Sequence, residues 1–217
     1  MKSIRIVVFI WITLFITVLA YSYIRGPKNK RTGAPGEQIC VASKCHVDHE
    51  VNSGPGKLSL LGLPREYEPK KDYPLTVRLQ QKGQKIWGFE LTAINDSLSE
   101  AGKIVKFDRH KLQLDEDEVN GETRFYLKHT RRGTHLGTKN GPVEWHFTWQ
   151  APAKPEGTIT FYVAGNAGNG NKEPTGDYIY QIKVKSQSPQ GSVSMDSTAG
   201  KSSEMMKQDT TTMDSVK

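Results

Sequence analysis

Apolar and polar residues alternate with a period of two along much of the chain between residues 57 and 185. Strands with one buried face have this period, whereas amphipathic helices repeat about every 3.6 residues. The pattern is clearest in five runs: Leu75 to Leu79, Trp87 to Ala93, Val143 to Trp149, Ile159 to Val163 and Tyr178 to Val184. Glycine, proline and asparagine separate these runs. The sequence therefore predicts an all-β fold, an antiparallel β-sandwich of the immunoglobulin-like type.

The two ends of the chain have different compositions from this central region. Residues 6–24 form an apolar run that follows Lys2 and Arg5, which predicts a hydrophobic helix acting either as a signal peptide or as a single membrane anchor. Both interpretations predict export. Residues 186–217 are rich in Ser, Thr, Met, Gln and Lys and contain no aliphatic cluster, so we expect a disordered tail.

These shifts in composition divide the chain of 217 residues into four regions around one folded domain. The predicted regions are a signal peptide or membrane anchor at 1–25, a tether and Cys/His segment at 26–56, the β-sandwich at 57–185, and the disordered tail at 186–217. Glycine, proline and lysine dominate residues 26–36, as is typical of a tether.

The net charge of +7 lies almost entirely at the amino terminus. Six basic residues precede the first acidic residue: Lys2, Arg5, Arg25, Lys28, Lys30 and Arg31. Without these six, the net charge of the remaining chain is +1. The charge therefore indicates contact with a membrane through the N-terminal segment, not binding to nucleic acid. Lys128, His129, Arg131 and Arg132 form a smaller basic cluster, which we interpret as a solvated loop because it lacks interleaved aromatic residues.

Candidate chemistry is concentrated between residues 32 and 56, which contain both cysteines of the chain. Cys40 and Cys45 are separated by four residues, and His46 follows the second cysteine directly. No nucleophile elbow, phosphate-binding glycine loop or zinc-protease helix motif occurs in the sequence. We therefore expect no catalytic residues and predict that the protein is not an enzyme.

Several short motifs, taken in order, resemble the Reeler-like domain of bacterial exported proteins, a relative of the domain at the start of reelin and spondins. They are Thr-Gly-Ala-Pro-Gly at 32–36, Asn-Ser-Gly-Pro-Gly at 52–56, Gly-Phe-Glu-Leu-Thr-Ala at 88–93, His129-Thr130 followed by Gly133, Trp-Gln-Ala-Pro at 149–152, and the glycine- and asparagine-rich run from Phe161 to Tyr180. The resemblance covers about residues 32–185. It implies a sandwich whose animal relatives serve extracellular binding and adhesion. Bacterial members often carry Cys-x-x-Cys-His after Gly-Ala-Pro-Gly, whereas here four residues separate the cysteines.

One interpretation of the cysteine pair is covalent attachment of a c-type haem, with His46 as an axial iron ligand. The protein would then serve electron transfer or redox sensing and interact with a redox partner protein. Four of the five methionines lie in the C-terminal tail, and the fifth is Met1, so the second axial position falls to a histidine or stays open. The candidates are His49, His110, His129, His135 and His146. We select His129 as the second metal ligand because it belongs to the family-like His-Thr motif.

Two other interpretations of the same residues remain open. An exported protein with two cysteines ordinarily oxidises them, and a Cys40–Cys45 disulfide would fit a non-catalytic extracellular adhesion or ligand-binding module. A zinc site formed by both cysteines, His46 and His49 has suitable ligand types. The zinc site is the weakest of the three, because Cys45 and His46 are adjacent and would have to turn toward one ion from opposite directions.

Other clusters have simpler interpretations. The acidic run from Asp115 to Glu118 lacks the spacing of a calcium-binding loop and is expected to be a solvated loop. The alternation of Trp87, Trp145 and Trp149 with polar neighbours predicts that they lie in the core and not on a carbohydrate-binding surface.

Overall fold

Two antiparallel β-sheets pack face to face in the computed structural model, which describes residues 26–38, 48–171, 173 and 175–189. The predicted hydrophobic helix, both cysteines, His46 and most of the predicted tail lie outside the described residues. Within the described part of the chain, no helix is long and apolar enough to cross a membrane. The all-β sandwich predicted from the alternation is confirmed.

Nine strands form the two sheets. Their bounds are β1 Lys57–Leu61, β2 Asp72–Gln80, β3 Ile86–Ile94, β4 Lys103–Phe107, β5 Leu112–Val119, β6 Glu122–His129, β7 Val143–Gln150, β8 Ile159–Gly168 and β9 Tyr178–Ser186. One sheet has the order β1-β2-β7-β4, and the other has the order β5-β6-β3-β8-β9. The five runs of clear alternation correspond to β2, β3, β7, β8 and β9.

The core lies between the two sheets and is formed by the inward residues of each strand. Trp87, Trp145 and Trp149 are all buried there, which confirms their prediction as core residues. Each indole N–H donates to a main-chain carbonyl, namely those of Thr138, Gly133 and Ala101 respectively. Burial of three large aromatic side chains with satisfied N–H groups accounts for much of the packing between the sheets.

All strands run between two ends of the sandwich, and we call these the entry end and the exit end. The entry end contains the loop 81–85, the turn 108–111, the connection 130–142 with a short 3₁₀ turn at Arg131–Thr134, and the loop 169–177. The exit end contains the loop 62–71, the loop 151–158 and the residues that follow β9. The chain therefore leaves its last strand at the exit end.

Two expectations for charged residues were wrong. The acidic run from Asp115 to Glu118 is not a loop but the centre of β5, an edge strand that pairs with β6. Lys128 and His129 do not belong to a solvated loop, because both are buried at the end of β6. Neither strand shows a clear alternation of apolar and polar residues in the sequence. In β6 the outward residues are polar but buried by another part of the chain, and in β5 the outward residues are charged.

Candidate functional site

Within the predicted region 26–56, residues 39–47, hereafter the Cys/His segment, are flanked by two stretches that the structure describes, residues 26–38 and 48–56. We call residues 26–38 the entry segment and residues 48–52 the return segment. Cys40, Cys45 and His46 themselves lie outside the described residues. The site is therefore defined by where its two flanks are attached.

The entry segment has the composition of a tether, yet it lies against the outer face of the five-stranded sheet. Lys128 Nζ donates to the carbonyl of Pro27 at 3.0 Å, and the N–H of Arg31 donates to Glu90 Oε2 at 2.7 Å. Ala34 packs against Ile94 and Tyr162 to form a small second hydrophobic cluster. The segment thus lies across β6, β3 and β8.

Glu37 fixes the last part of the entry segment to β6. Arg124 Nη1 lies 3.0 Å from Glu37 Oε1, and the two side chains are 1% and 0% exposed. The hydroxyl of Tyr126 donates to the same oxygen at 2.9 Å, and the hydroxyl of Thr32 donates to Oε2. Burial, followed by the nearby Glu37 carboxylate, raises the pKa of Tyr126 above its ordinary value. An ion pair this deeply buried holds Glu37 only three residues before Cys40.

Glu90 is a buried carboxyl beneath the entry segment. It is 1% exposed, and its Oε1 has no hydrogen-bond partner among the described residues. Burial raises its pKa to about 8, while the N–H of Arg31 and the charge of Lys128 act in the opposite direction. The group therefore holds a proton over much of the neutral pH range.

The return segment is attached to β9, the edge strand on the other side of the same sheet. Asp48 Oδ2 accepts a hydrogen bond from the N–H of Gly176 at 2.6 Å. Asn52 donates its N–H to the carbonyl of Ile179, and its side chain exchanges two hydrogen bonds with the main chain of Gln181. These bonds use main-chain groups at the open edge of β9.

His49 belongs to the return segment and packs against the sheet edge. Its ring lies 4.0 Å from the ring of Tyr178, and its Nδ1 lies 3.2 Å from the carbonyl oxygen of Asp177. Asp48 lies beside it, with 3.8 Å between Oδ1 and His49 Nδ1.

His129, the predicted second metal ligand, is buried at the end of β6 with 7% exposure. Its Nδ1 lies 3.1 Å from the amide nitrogen of Phe89 and 3.2 Å from the carbonyl oxygen of the same residue. The imidazole thus continues the pairing between β6 and β3 where the main-chain ladder ends. Burial lowers the pKa of His129 to about 4, so the ring is neutral at ordinary pH.

Gly88 makes room for the His129 ring. A Cβ on Gly88 would lie 2.5 Å from His129 Cε1 and 3.0 Å from each ring nitrogen. Contact distances of this size exclude a side chain unless the imidazole moves. The close approach explains why glycine occupies an ordinary strand position here.

The remaining histidines lie in different places. His110 is exposed in the turn 108–111, and His146 lies on the outer face of the four-stranded sheet, hydrogen bonded to Thr76. His135 packs edge-on against Trp145, and its buried Nε2 has no partner within the described part of the chain. No group of three or more His, Cys, Asp and Glu side chains that could hold a metal ion occurs among the described residues.

Sequence reasoning missed the buried charges on the outer face of the five-stranded sheet. Arg124, Lys128 and Glu90 occupy alternate polar positions, which the alternation predicts to be solvent-exposed. They are buried because the entry segment covers them. The stretch from Thr32 to Glu37 was the available signal, since Thr32 donates to Glu37 and Glu37 in turn binds Arg124.

Comparisons with known proteins give matches only to solved structures. No family model matches the chain, and no curated protein matches it. The Reelin-N domain of F-spondin is 14% identical, with a TM-score of 0.43 over 69% of this chain and 96% of that chain. The reeler domain of human F-spondin is 16% identical, with a TM-score of 0.41 over 66% and 96% of the two chains.

A cohesin module of a family 33 glycoside hydrolase from Clostridium perfringens also matches, at 9% identity and a TM-score of 0.40, over 62% of this chain and 96% of that chain. The match covers 96% of the length of each of these three solved domains. Identities and TM-scores at this level establish neither a family nor an activity for the chain. The fold class rests on the strand order and packing described above.

Proposed function

We propose that this chain is an exported, membrane-tethered redox module of the cell envelope, in which Cys40 and Cys45 hold one c-type haem and His46 binds its iron. A bound haem supplies one-electron chemistry at its iron. The chain itself carries no catalytic residue in this proposal. Its role is electron transfer to a redox partner protein, or redox sensing.

The observation that carries the proposal is the attachment of both flanks of the Cys/His segment to one sheet. Glu37 is bound to β6 and Asp48 lies beside the start of β9, and these strands are three positions apart in the sheet. Three inter-strand spacings amount to about 14 Å across the sheet, and the attachments are also separated along the strands, since Arg124 lies near the exit end of β6 and Gly176 lies at the entry end. The connecting residues 39–47 can span about 30 Å when extended. Two fixed ends on one sheet suit a loop that must present two thiols and a histidine to one flat ring.

The surface between the two attachments has small outward residues. Gly88 on β3 pairs with Asn166 on β8, and Glu90 pairs with Ala164. Both positions are nevertheless buried: the His129 ring fills the space beside Gly88, and Ala164 lies in the row between Glu90 and Gln181 that the entry segment crosses. A planar group would therefore have to lie outside these covered positions.

His129 is the residue that would bind the haem iron together with His46. Metal-bound histidines usually donate their other ring N–H to a carbonyl or carboxylate, which fixes the tautomer. A proton on Nδ1 donated to the carbonyl of Phe89 leaves Nε2 with the lone pair that an iron requires. The lowered pKa keeps the ring neutral, as a ligand must be. If the N–H of Phe89 donates to Nδ1 instead, the ring proton lies on Nε2, and that tautomer has no lone pair for an iron.

Attachment of the haem uses only chemistry that the two thiols supply. Each thiol adds across one vinyl group, so that its sulfur bonds to one carbon, its hydrogen goes to the other, and no net oxidation occurs. The attachment requires the four residues between the cysteines, Val41 to Lys44, to loop out, which small and polar residues permit. Export fits this chemistry, because c-type haem is attached outside the cytoplasm.

The competing function is a non-catalytic adhesion or ligand-binding module with Cys40 and Cys45 joined in a disulfide. The same fixed flanks suit it as well, since the two cysteines are only five positions apart in the sequence between them. Formation of that bond removes two hydrogen atoms and needs the oxidant that exported proteins encounter. The two functions therefore predict different masses for the same residues.

Expression of the full chain together with a cytochrome c maturation system tests the proposal. We expect a Soret absorption band and haem that stays with the polypeptide after denaturation. The double change Cys40→Ser and Cys45→Ser should abolish the covalent haem. A colourless protein whose mass is two hydrogens below the reduced value would contradict the haem proposal and support the binding module.

A further inference from the structure

The basic residues at the entry end form one patch from two loops that contact each other. The carbonyl of Lys111 accepts a hydrogen bond from the N–H of Thr130 at 2.8 Å, and the carbonyl of His110 accepts one from the Thr130 hydroxyl. These bonds place the turn 108–111 directly against the 3₁₀ turn 131–134. The basic patch consists of Arg109, His110, Lys111, Arg131 and Arg132, all of which are exposed.

The two loops that form the patch contain few acidic residues. Asp108 is the acidic residue of its two loops, and one of its carboxylate oxygens already accepts the N–H of His110. The acidic strand β5 begins its charged run at Asp115, which pairs with the buried Lys128 at 2.9 Å. Four arginines and lysines therefore face solvent from a small area, which suits a surface that carries many negative charges.

The chain enters the fold beside this patch. A Cβ on Gly26 would lie 2.5 Å from Gln113 Nε2 and 2.7 Å from the carbonyl oxygen of His129, so Gly26 packs against β5 and β6 next to the patch. Its φ of 114° is available to glycine and rarely to other residues. Only Arg25 separates Gly26 from the apolar run that ends at Ile24.

These placements bring the predicted membrane segment close to the basic patch. Two residues of extended chain from Ile24 to Gly26 span about 7 Å. The Debye length at physiological salt is about 8 Å, so charges this near a membrane surface still interact with its headgroups. The exit end, where the chain leaves β9, lies at the far side of the sandwich from the patch.

We propose that the basic patch docks the domain onto anionic phospholipid headgroups, with the apolar residues 6–24 as the second attachment. Stable membrane association generally needs two such signals, and a basic cluster beside a membrane segment is a common pair. The domain then stands with its entry end on the membrane, and the residues after β9 point away from it. The return segment, bound at Gly176, also lies at the entry end, so one flank of the Cys/His segment faces the membrane surface.

This inference rests on the export and tethering in the proposed function and not on the haem. Amide hydrogen exchange of the full chain in lipid nanodiscs tests it, with discs of pure phosphatidylcholine compared with discs that also contain phosphatidylglycerol. We expect exchange in residues 106–112 and 130–136 to slow on the order of tenfold in the anionic discs. The slowing should disappear near 1 M salt, where the Debye length falls to about 3 Å.

A matched pair of variants separates the patch from general charge. Lys111→Glu with Arg132→Glu reverses two exposed charges in the patch and should remove the lipid-dependent slowing. Arg65→Glu with Lys154→Glu reverses two exposed charges at the exit end and should leave the slowing unchanged. Thermal unfolding of each variant in detergent checks that it is folded.

Three results would overturn the inference. Equal exchange in both kinds of disc would do so, and would point to an acidic protein as the partner of the patch. Slowing that persists in the patch variant would assign the contact to other residues. Recovery of the exported chain without residues 6–24 would remove the second attachment. A protein that lacks haem yet shows the lipid-dependent slowing would contradict the redox function and leave the docking intact.

Discussion

Replacing Arg124 with methionine breaks the buried ion pair that fixes the entry segment to β6. Methionine keeps much of the aliphatic volume, but it removes the charge and the donors to Glu37, Pro35 and Leu98. Glu37 would then keep the hydroxyls of Tyr126 and Thr32 as partners. A buried carboxylate without its cation is strongly destabilising, whatever the net contribution of the intact pair.

The expected loss in the free energy of unfolding is about 3 to 5 kcal/mol, the usual range for removal of one partner of a buried pair. Tryptophan fluorescence during urea unfolding measures it, since the three core tryptophans report loss of packing. Arg78→Met is the matched control, because Arg78 forms an exposed pair with Glu144 at 3.6 Å. That change should lower stability by no more than about 1 kcal/mol.

The double variant Arg124→Met with Glu37→Gln completes the test. Removal of both charges leaves no unpaired buried ion, so we expect it to recover part of the loss caused by Arg124→Met alone. If Arg124→Met lowered stability no more than Arg78→Met, or if the two changes were additive, the entry segment would not be held by this ion pair. The account of how the Cys/His segment is positioned would then fail.

Three further predictions concern Glu90, Gly88 and His129. The folded pKa of Glu90, about 8, lies above the unfolded value near 4.5, so the stabilising effect of its protonation is complete below about pH 4.5 and is lost as pH rises through 8. Glu90→Gln should therefore reduce the loss of stability between these limits by at most about 5 kcal/mol, as measured by urea unfolding across pH. An unchanged pH profile would contradict the burial of a protonated carboxyl. Gly88→Ala should destabilise the fold by about 1 to 3 kcal/mol by displacing the His129 ring, and no change in thermal unfolding would show that the ring has room to move. In haem-loaded protein, His129→Ala should convert a low-spin to a high-spin absorption spectrum while His110→Ala leaves it unchanged, and identical spectra for both would exclude His129 as a ligand.

The core could be predicted from sequence because its signal is local. Trp145, Phe147 and Trp149 alternate with polar residues, and strands of this kind bury one face whatever their partners are. β4 and β5 were harder to predict, since these edge strands carry charged residues that interrupt the alternation of apolar and polar positions. Lys103, Lys106 and the acidic run of β5 are typical of edge strands that avoid pairing with other chains.

The attachment of the Cys/His segment could not be predicted because it depends on contacts distant in sequence. Glu37 and Arg124 are 87 positions apart, and Asp48 and Gly176 are 128 apart. The entry segment has the composition of a flexible linker, yet its glutamate and main chain satisfy buried charges on the sheet. His129 belonged to a recognisable motif, but its hydrogen bonding to Phe89 required knowledge of how β6 meets β3.

The central claim is that Cys40, Cys45 and His46 attach a haem, and intact mass spectrometry tests it most directly. The full chain is expressed with a cytochrome c maturation system and denatured before measurement. The account predicts a mass increased by one haem, an increase that vanishes in the Cys40→Ser and Cys45→Ser double variant. A mass two hydrogens below the reduced chain, with no haem retained, would contradict it.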